Sequence, residues 1–207
     1  MPLQLVTPPA EEPVSLSDAK LHLRVDFTDD DALIMAIIVA ARQHAEMLTR
    51  RQIVTARWKL VLDSFPGPSL MGVPAGEPFS LPGHAILLPK SPLQTVQSIQ
   101  YLDMGSTLQT MPATDYIVDA ACEPARITPV FGKIWPVSLP QIGAVSVTFD
   151  AGFGAATSVP EGIKSWIKMR VGSLYANREE VALMNRGKIE ALPFVDGLLD
   201  PYKVATV

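Results

Sequence analysis

The spacing most suggestive of cofactor chemistry is the turn Gly152-Phe-Gly154-Ala-Ala-Thr157, which lies between a predicted strand and a predicted helix. It resembles the start of the dinucleotide fingerprint G-x-G-x-x-G, whose glycines let a pyrophosphate approach a helix N-terminus. Here the third glycine is absent, and Ser158-Val-Pro160 separates the turn from the helix. The pattern favours an ordinary turn, and nucleotide binding at Gly152–Gly154 is the least favoured function.

An acidic run, Asp26-Phe-Thr-Asp-Asp-Asp31, has the composition of a calcium site. An EF-hand loop would need glycine at its sixth position and glutamate at its twelfth, where this chain has Asp31 and Ile37. The carboxylates stand instead where a long helix is predicted to begin, and negative charge is favourable there. The run therefore predicts helix capping.

No other group of residues has the spacing of a reactive centre. The histidines His22, His44 and His84 are scattered, and Cys122 has no obvious activating partner. The sequence contains neither G-x-S-x-G nor the phosphate-binding G-x-x-x-x-G-K-[ST]. We therefore predict no catalytic residue, no cofactor and no metal, and a protein that is not an enzyme.

Two basic groups could contact phosphates: Arg50 with Arg51, and Lys164 with Lys168. Aromatic residues are not interleaved with them, which disfavours a stacking platform for single strands. The net charge of −4 also argues against a general nucleic-acid binder, although an acidic channel would let DNA slide. We name the four residues as candidates for a subunit interface or a DNA-facing surface, with a solvated face of ordinary ion pairs as the favoured alternative.

The bulk composition indicates a globular protein. The chain has 207 residues, of which 48% are hydrophobic and 18% charged. Its single cysteine excludes an intramolecular disulfide and suits a reducing cytoplasm. The longest apolar run, residues 32–41, is too short to span a membrane, and the N-terminus resembles an extended arm and not a signal peptide. We expect a soluble, cytoplasmic protein until it is assembled.

Helices are predicted near both ends of the chain. Ser15 and Asp18 have the spacing of a capping box, which opens a short helix to about residue 23. An amphipathic stripe predicts a long helix over about 29–51. A third helix starts after Pro160, a residue that suits the first helical position, and a short one could end at Pro201.

The middle of the chain has the pattern of short strands. Twelve of the 19 prolines lie between Pro66 and Pro140, and proline blocks helix interiors. Apolar residues alternate from Trp58, and Asp103-Met-Gly-Ser106 resembles a hairpin turn. A loop rich in proline and glycine is predicted at 66–84. Further strands are predicted at 85–88, 96–102, near Leu108, and at 116–118 and 144–149.

These elements predict an α+β fold. Residues 1–51 and 151–207 would form a discontinuous helical domain, and residues 52–150 an inserted, proline-rich, small antiparallel β module. The charge distribution supports the division, since residues 63–150 carry a net charge of −4 while the flanking segments nearly cancel.

Specific strings resemble the head–tail connector (adaptor) family of tailed phages and prophages, in the longer subgroup with a β module. They follow the expected order along nearly the whole chain. They are 13–26 (PVSLSDAKLHLRVD), 28–33 (TDDDAL), 58–66 (WKLVLDSFP), 88–93 (LPKSPL), 96–101 (VQSIQY), 116–119 (YIVD), 132–136 (GKIWP), 147–154 (VTFDAGFG), 159–164 (VPEGIK) and 201–203 (PYK).

The resemblance implies a structural protein that adds to the portal vertex after DNA packaging. Such proteins form a homo-oligomeric ring that extends the DNA channel and bridges to a stopper or tail-completion protein. Head-to-tail contacts between copies would close the ring. Assembly in the host cytoplasm and then residence at the head–tail junction of the virion are expected, without sequence-specific DNA binding or membrane contact. The alternative is another structural or binding protein of the tail or baseplate.

The C-terminal tail carries apolar residues at helical intervals, a spacing that suits docking in a groove. We therefore predict that it docks on the portal. The candidate docking residues are Phe194, Leu198, Leu199 and Tyr202.

Overall fold

A computed structural model describes residues 2–67, 84–177 and 197–204. The chain divides into two compact units, one rich in helix and the other in strands. The helical unit comprises residues 10–54 and 153–207, and the β unit comprises residues 1–9 and 55–152. Most of the predicted 66–84 loop and the docking candidate Phe194 lie outside the described residues.

In its described residues the helical unit has three α-helices: α1 (Leu16–Leu23), α2 (Asp31–Thr49) and α3 (Glu161–Ala176). One short 3₁₀ turn, Ala156–Ser158, precedes α3, and another, Asp200–Tyr202, lies in the C-terminal tail. The predicted cap of α1 is present, since the Asp18 amide donates to Ser15 Oγ at 3.1 Å. An ion pair connects α1 to the start of α2: Lys20 Nζ lies 2.6 Å from Asp31 Oδ1.

One stripe of each long helix builds the core of this unit. Ile34 and Ile38 of α2 are buried with Ile163, Trp166 and Ile167 of α3. Among the described residues, α2 is the one helix that is long and apolar enough to cross a membrane. Its buried isoleucines show the pattern of a core helix, which passes the same test.

The part of the β unit that the structure describes has eight strands in two antiparallel sheets. In the five-stranded sheet the order is β1-β2-β8-β4-β5, and in the three-stranded sheet it is β3-β7-β6. The strands are β1 (Leu3–Thr7), β2 (Ala56–Leu62), β3 (Ile86–Leu88), β4 (Leu93–Leu102), β5 (Leu108–Thr110), β6 (Tyr116–Asp119), β7 (Ala125–Pro129) and β8 (Val145–Ala151).

Alternation along the strands gives the two sheets one shared core. In β8, the central strand of the larger sheet, Val145, Val147, Phe149 and Ala151 are buried and the residues between them are partly exposed. Ile127 of β7, in the smaller sheet, belongs to the same buried cluster. The predicted α+β class is therefore confirmed.

Two strands were not predicted, β1 and β7. Residues 3–7, interpreted as an extended arm, pair with β2 and belong to the β unit. The long helix ends at Thr49, because Arg50 takes a left-handed backbone conformation with φ of 58°. The β unit comprises residues 1–9 and 55–152, where the sequence predicted 52–150, and the division into domains stays a prediction.

Candidate interaction surfaces

The described part of the C-terminal tail, residues 197–204, packs into its own helical unit. Leu199 has no exposed surface, and Leu198 and Tyr202 pack against the same core. The Val204 amide donates to the Thr49 carbonyl at 3.0 Å. Of the predicted docking residues inside the described chain, one is therefore a core residue and two line the core. Docking on a portal stays a prediction, and it would require Leu199 to leave its core position.

A glycine in α3 makes room for this tail. A Cβ atom on Gly162 would lie 3.2 Å from Tyr202 Cε2 and 3.6 Å from the Leu198 carbonyl oxygen. The contact with Tyr202 is shorter than most real Cβ contacts, so a larger residue at position 162 would require the Tyr202 ring to move by a few tenths of an ångström. Gly162 thus positions Tyr202, a role that its place in the sequence did not reveal.

The four basic candidates have different environments. Arg50 is exposed, but Arg51 is buried: its Nε donates to the Tyr202 carbonyl and its guanidinium lies 5.8 Å from the centre of the Phe153 ring. Lys164 Nζ lies 3.0 Å from Glu161 Oε1, and Lys168 is half-buried on the same helix. Arg51 therefore contacts the C-terminal tail, and a role of the four residues at an interface or beside DNA stays a prediction.

A buried polar cluster that the sequence did not predict links the start of the helical unit to the end of α2. Arg42 Nε donates to Glu12 at 2.7 Å, and its Nη1 donates to Glu46 at 2.9 Å. Glu46 also accepts from the Gln52 amide group and from the Ile53 backbone amide. Burial opposes the charge of Arg42, but the hydrogen bonds and charges of Glu12 and Glu46 outweigh it and raise the Arg42 pKa.

At the candidate nucleotide turn, three backbone amides donate to other groups of the protein. The Gly152 amide donates to the Pro92 carbonyl, and the Phe153 amide donates to the Ile53 carbonyl. The Ala156 amide donates to the Glu11 carboxylate at 2.7 Å, which puts negative charge where a phosphate would bind. Both glycines have positive φ, 131° at Gly152 and 120° at Gly154, so backbone geometry explains why glycine stands there.

The other candidate reactive groups have structural partners. Asp31 pairs with Lys20, and Asp30 accepts a hydrogen bond from the Tyr175 hydroxyl. Among the described residues, no cluster of His, Cys, Asp and Glu could hold a metal ion. A hydrogen bond with Asp119 raises the pKa of the Cys122 thiol, the opposite of what activates a nucleophile.

A different segment, residues 130–142 of the β unit, exposes four large apolar side chains. Phe131 is fully exposed, and Ile134, Val137 and Ile142 are 85%, 72% and 91% exposed. We call this segment the apolar loop. The sequence predicted no surface here, because the only signals were apolar residues between prolines, which are equally typical of a covered loop.

The apolar loop is held in place by one buried side chain and by backbone hydrogen bonds. Trp135 is buried, stacks on Phe65 with ring centres 4.9 Å apart, and donates through Nε1 to the His84 carbonyl. The Leu139 amide donates to the Leu102 carbonyl at 2.8 Å. Lys133 forms an ion pair with Asp115, so the loop's one charged side chain is neutralised.

A cavity of about 540 Å³ lies beside this anchor. Its walls include Phe65, Trp135, Ile134 and Val137. The described lining is mostly apolar, like the adjoining loop, and its one lysine, Lys133, is paired with Asp115. We therefore treat the cavity as part of the loop's surroundings.

Comparison with known proteins gives two kinds of similarity. Residues 13–98 match the family model of phage gp6-like head–tail connector proteins, a range that covers less than half of the chain. It includes α1, α2 and the first strands of the β unit that follow them. No curated protein matches the chain.

Solved structures share the fold over the whole chain. A chain of the virion of a native gene transfer agent particle superposes with a TM-score of 0.75 and 20% identity. Chains from the neck of empty and of native gene transfer agent particles superpose with TM-scores of 0.72 and 0.71, both with 21% identity. Each comparison covers 100% of this chain and 97% of the other. The family model that matches residues 13–98 is the family that the sequence strings resemble, and the solved structures show that the fold of the whole chain is shared with chains of these particles.

Proposed function

We propose that this chain is a structural head–tail connector subunit that forms a ring beneath the portal vertex. The ring extends the DNA channel and bridges to a stopper or tail-completion protein. The chain acts by assembly and not by catalysis. It joins the particle in the host cytoplasm and remains at the head–tail junction of the virion.

The family match over residues 13–98 is the observation that carries this proposal. The fold agrees with it, because the similar neck structures were computed with six-fold and twelve-fold symmetry, as expected of ring-forming chains. The net charge of −4 suits a protein that surrounds DNA without gripping its phosphates.

The test is assembly on the portal protein of the same phage or prophage. The purified chain is mixed with portal rings, and the complex is examined by native mass spectrometry and electron cryo-microscopy. We expect one added ring in a fixed ratio to the portal copies, and no such complex with the portal of an unrelated phage. A chain that binds no portal, but binds a tail or baseplate protein, would refute the proposal.

The nucleotide-binding alternative has a direct test of its own. A ligand that binds only the native state raises the melting temperature. Because the amides of Gly152, Phe153 and Ala156 already donate within the protein, and Glu11 puts a carboxylate at the turn, we expect no shift across a panel of nucleotides. A nucleotide-specific rise in melting temperature that is lost in Gly154→Ala would contradict the interpretation of this segment as an ordinary turn.

A further inference from the structure

We propose that the apolar loop, residues 130–142, is the surface by which one copy of this chain contacts the next copy in the ring. The inference rests on the proposed ring-forming function and names the surface that builds the ring. Its occupant is a second copy of this chain.

The first argument is the size of the exposed apolar surface. At about 25 cal/mol per Å² and about 1.5–3 kcal/mol for each fully buried side chain, a residue of this size corresponds to roughly 60–120 Å², so the four residues together present on the order of 300–400 Å². Apolar patches of about 300–600 Å² on monomers are often functional. The exposed area of the four residues is also a large part of the roughly 800 Å² that each partner buries in a standard interface.

The second argument is charge. Lys133 is the one charged residue in the loop, and it pairs with Asp115. A surface without net charge has little attraction for DNA phosphates or for a strongly charged partner. An uncharged apolar surface instead suits contact with an apolar surface on another protein. The core of an interface between copies of one chain is more apolar than the rest of the protein surface.

The third argument is preorganisation. The backbone of the loop is bonded to the rest of the β unit near both ends, where the Val130 amide donates to the Asp115 carbonyl and the Leu139 amide to the Leu102 carbonyl. Trp135 holds the middle of the loop against Phe65. Because little conformational freedom remains to be lost, contact through the loop costs little entropy.

Ring closure requires that the loop meets a different surface on the neighbouring copy. Contact between two identical patches would close into a dimer, whereas head-to-tail contact continues around a ring. Each copy therefore offers the loop on one side and a receiving surface on the other. This asymmetry makes the proposal testable by mixing variants.

The first experiment compares wild type, the double variant Phe131→Ser/Ile134→Ser and the control Leu5→Ser. Leu5 is half-exposed on β1, at the opposite edge of the larger sheet from β5. Sedimentation and native mass spectrometry measure self-association over a concentration series that reaches about 1 mM. We expect at least tenfold weaker self-association of the double variant, unchanged association of Leu5→Ser, and the same unfolding midpoint for all three chains.

The second experiment adds the double variant to wild type in equal amounts. Because the variant keeps its receiving surface, it should cap growing assemblies and shift the distribution to shorter oligomers. A mixture in which wild-type assemblies are only diluted would indicate contact between identical patches and overturn the head-to-tail arrangement.

Two results would overturn the inference. One is normal self-association of the double variant, and the other is a wild-type chain that stays monomeric throughout the concentration series. Both can be told apart from failure of the proposed function, which is tested by binding to the portal. Portal binding together with normal assembly of the double variant would leave the connector role standing and move the subunit contact elsewhere.

Discussion

Residues 197–204 and the apolar loop are both short, irregular segments with proline, yet their apolar side chains face opposite environments. In the C-terminal segment Leu199 is fully buried, and the Val204 amide is bonded to Thr49. In the loop Trp135 is the buried anchor, while Phe131 is fully exposed. Both segments are thus held by a buried side chain and backbone hydrogen bonds, and they differ in whether their remaining apolar residues pack against a core or face solvent.

The largest expected effect is loss of the loop's anchor. Trp135→Ala removes the ring that stacks on Phe65, and a change of this kind costs about 3–5 kcal/mol. We expect this loss in the unfolding free energy of the β unit, measured by denaturant titration. Phe131→Ala, in the same loop, is the control and should change stability by less than about 0.5 kcal/mol. Similar losses for both variants would mean that Phe131 is covered in the isolated chain.

The matching test in the C-terminal segment is Leu199→Ala. Because this side chain is fully buried, its truncation should cost about 2–5 kcal/mol of the stability of the helical unit. Leu21, 80% exposed on α1, provides the control, and Leu21→Ala should have an effect within about 0.5 kcal/mol. A stable Leu199→Ala chain that no longer binds the portal would restore the tail as a docking element.

Two glycines of α3, one beside the C-terminal segment and one away from it, allow a comparison within a single helix. Gly162→Ala brings a methyl group against Tyr202 and should destabilise the helical unit by about 1 kcal/mol, since overpacking outweighs the gain in helix propensity. At Gly172 the nearest atom is His22 Nε2 at 3.6 Å, an ordinary contact. Gly172→Ala should therefore stabilise the unit by up to about 1 kcal/mol. Equal effects in thermal unfolding would show that the tail does not rest on Gly162.

The smallest expected effect concerns the ion pair beneath the loop. A hydrogen bond from Lys133 lowers the pKa of the Asp115 carboxyl in the folded chain. Its contribution to stability is therefore complete above the unfolded pKa of about 3.9 and is lost as pH falls through the lower folded value. The free energy of unfolding, measured from pH 6 to pH 2, should fall less steeply with decreasing pH in Asp115→Asn and in Lys133→Met than in the wild type. Full wild-type dependence in both variants would show that the pair does not hold the loop.

Local signals predicted many of the elements. The capping box at Ser15 correctly gave the start of α1, and the period of two from Trp58 gave β2. Those patterns depend on residues that are neighbours in the chain. β1 was missed because its strand geometry comes from pairing with β2, more than fifty residues away, and its own residues have no alternation of burial.

The surfaces were harder to predict than the elements, for a physical reason. Apolar spacing shows that a segment can bury one face, but it does not show whether the partner is the chain's own core or another molecule. The tail residues Leu198, Leu199 and Tyr202 were predicted as a docking face, and they lie in or against their own core. The loop had no periodic pattern, and its exposure depends on the distant contacts of Trp135 with Phe65 and His84.

Hydroxyl-radical footprinting of the chain, free and assembled on portal rings, tests this contrast most directly. In the free chain we expect strong oxidation of Phe131 and Ile142 and weak oxidation of Leu199. On assembly Phe131 and Ile142 should become protected, while Leu199 stays as it was. Protection that appears in the C-terminal segment, with Phe131 as reactive in the ring as in the free chain, would contradict the account.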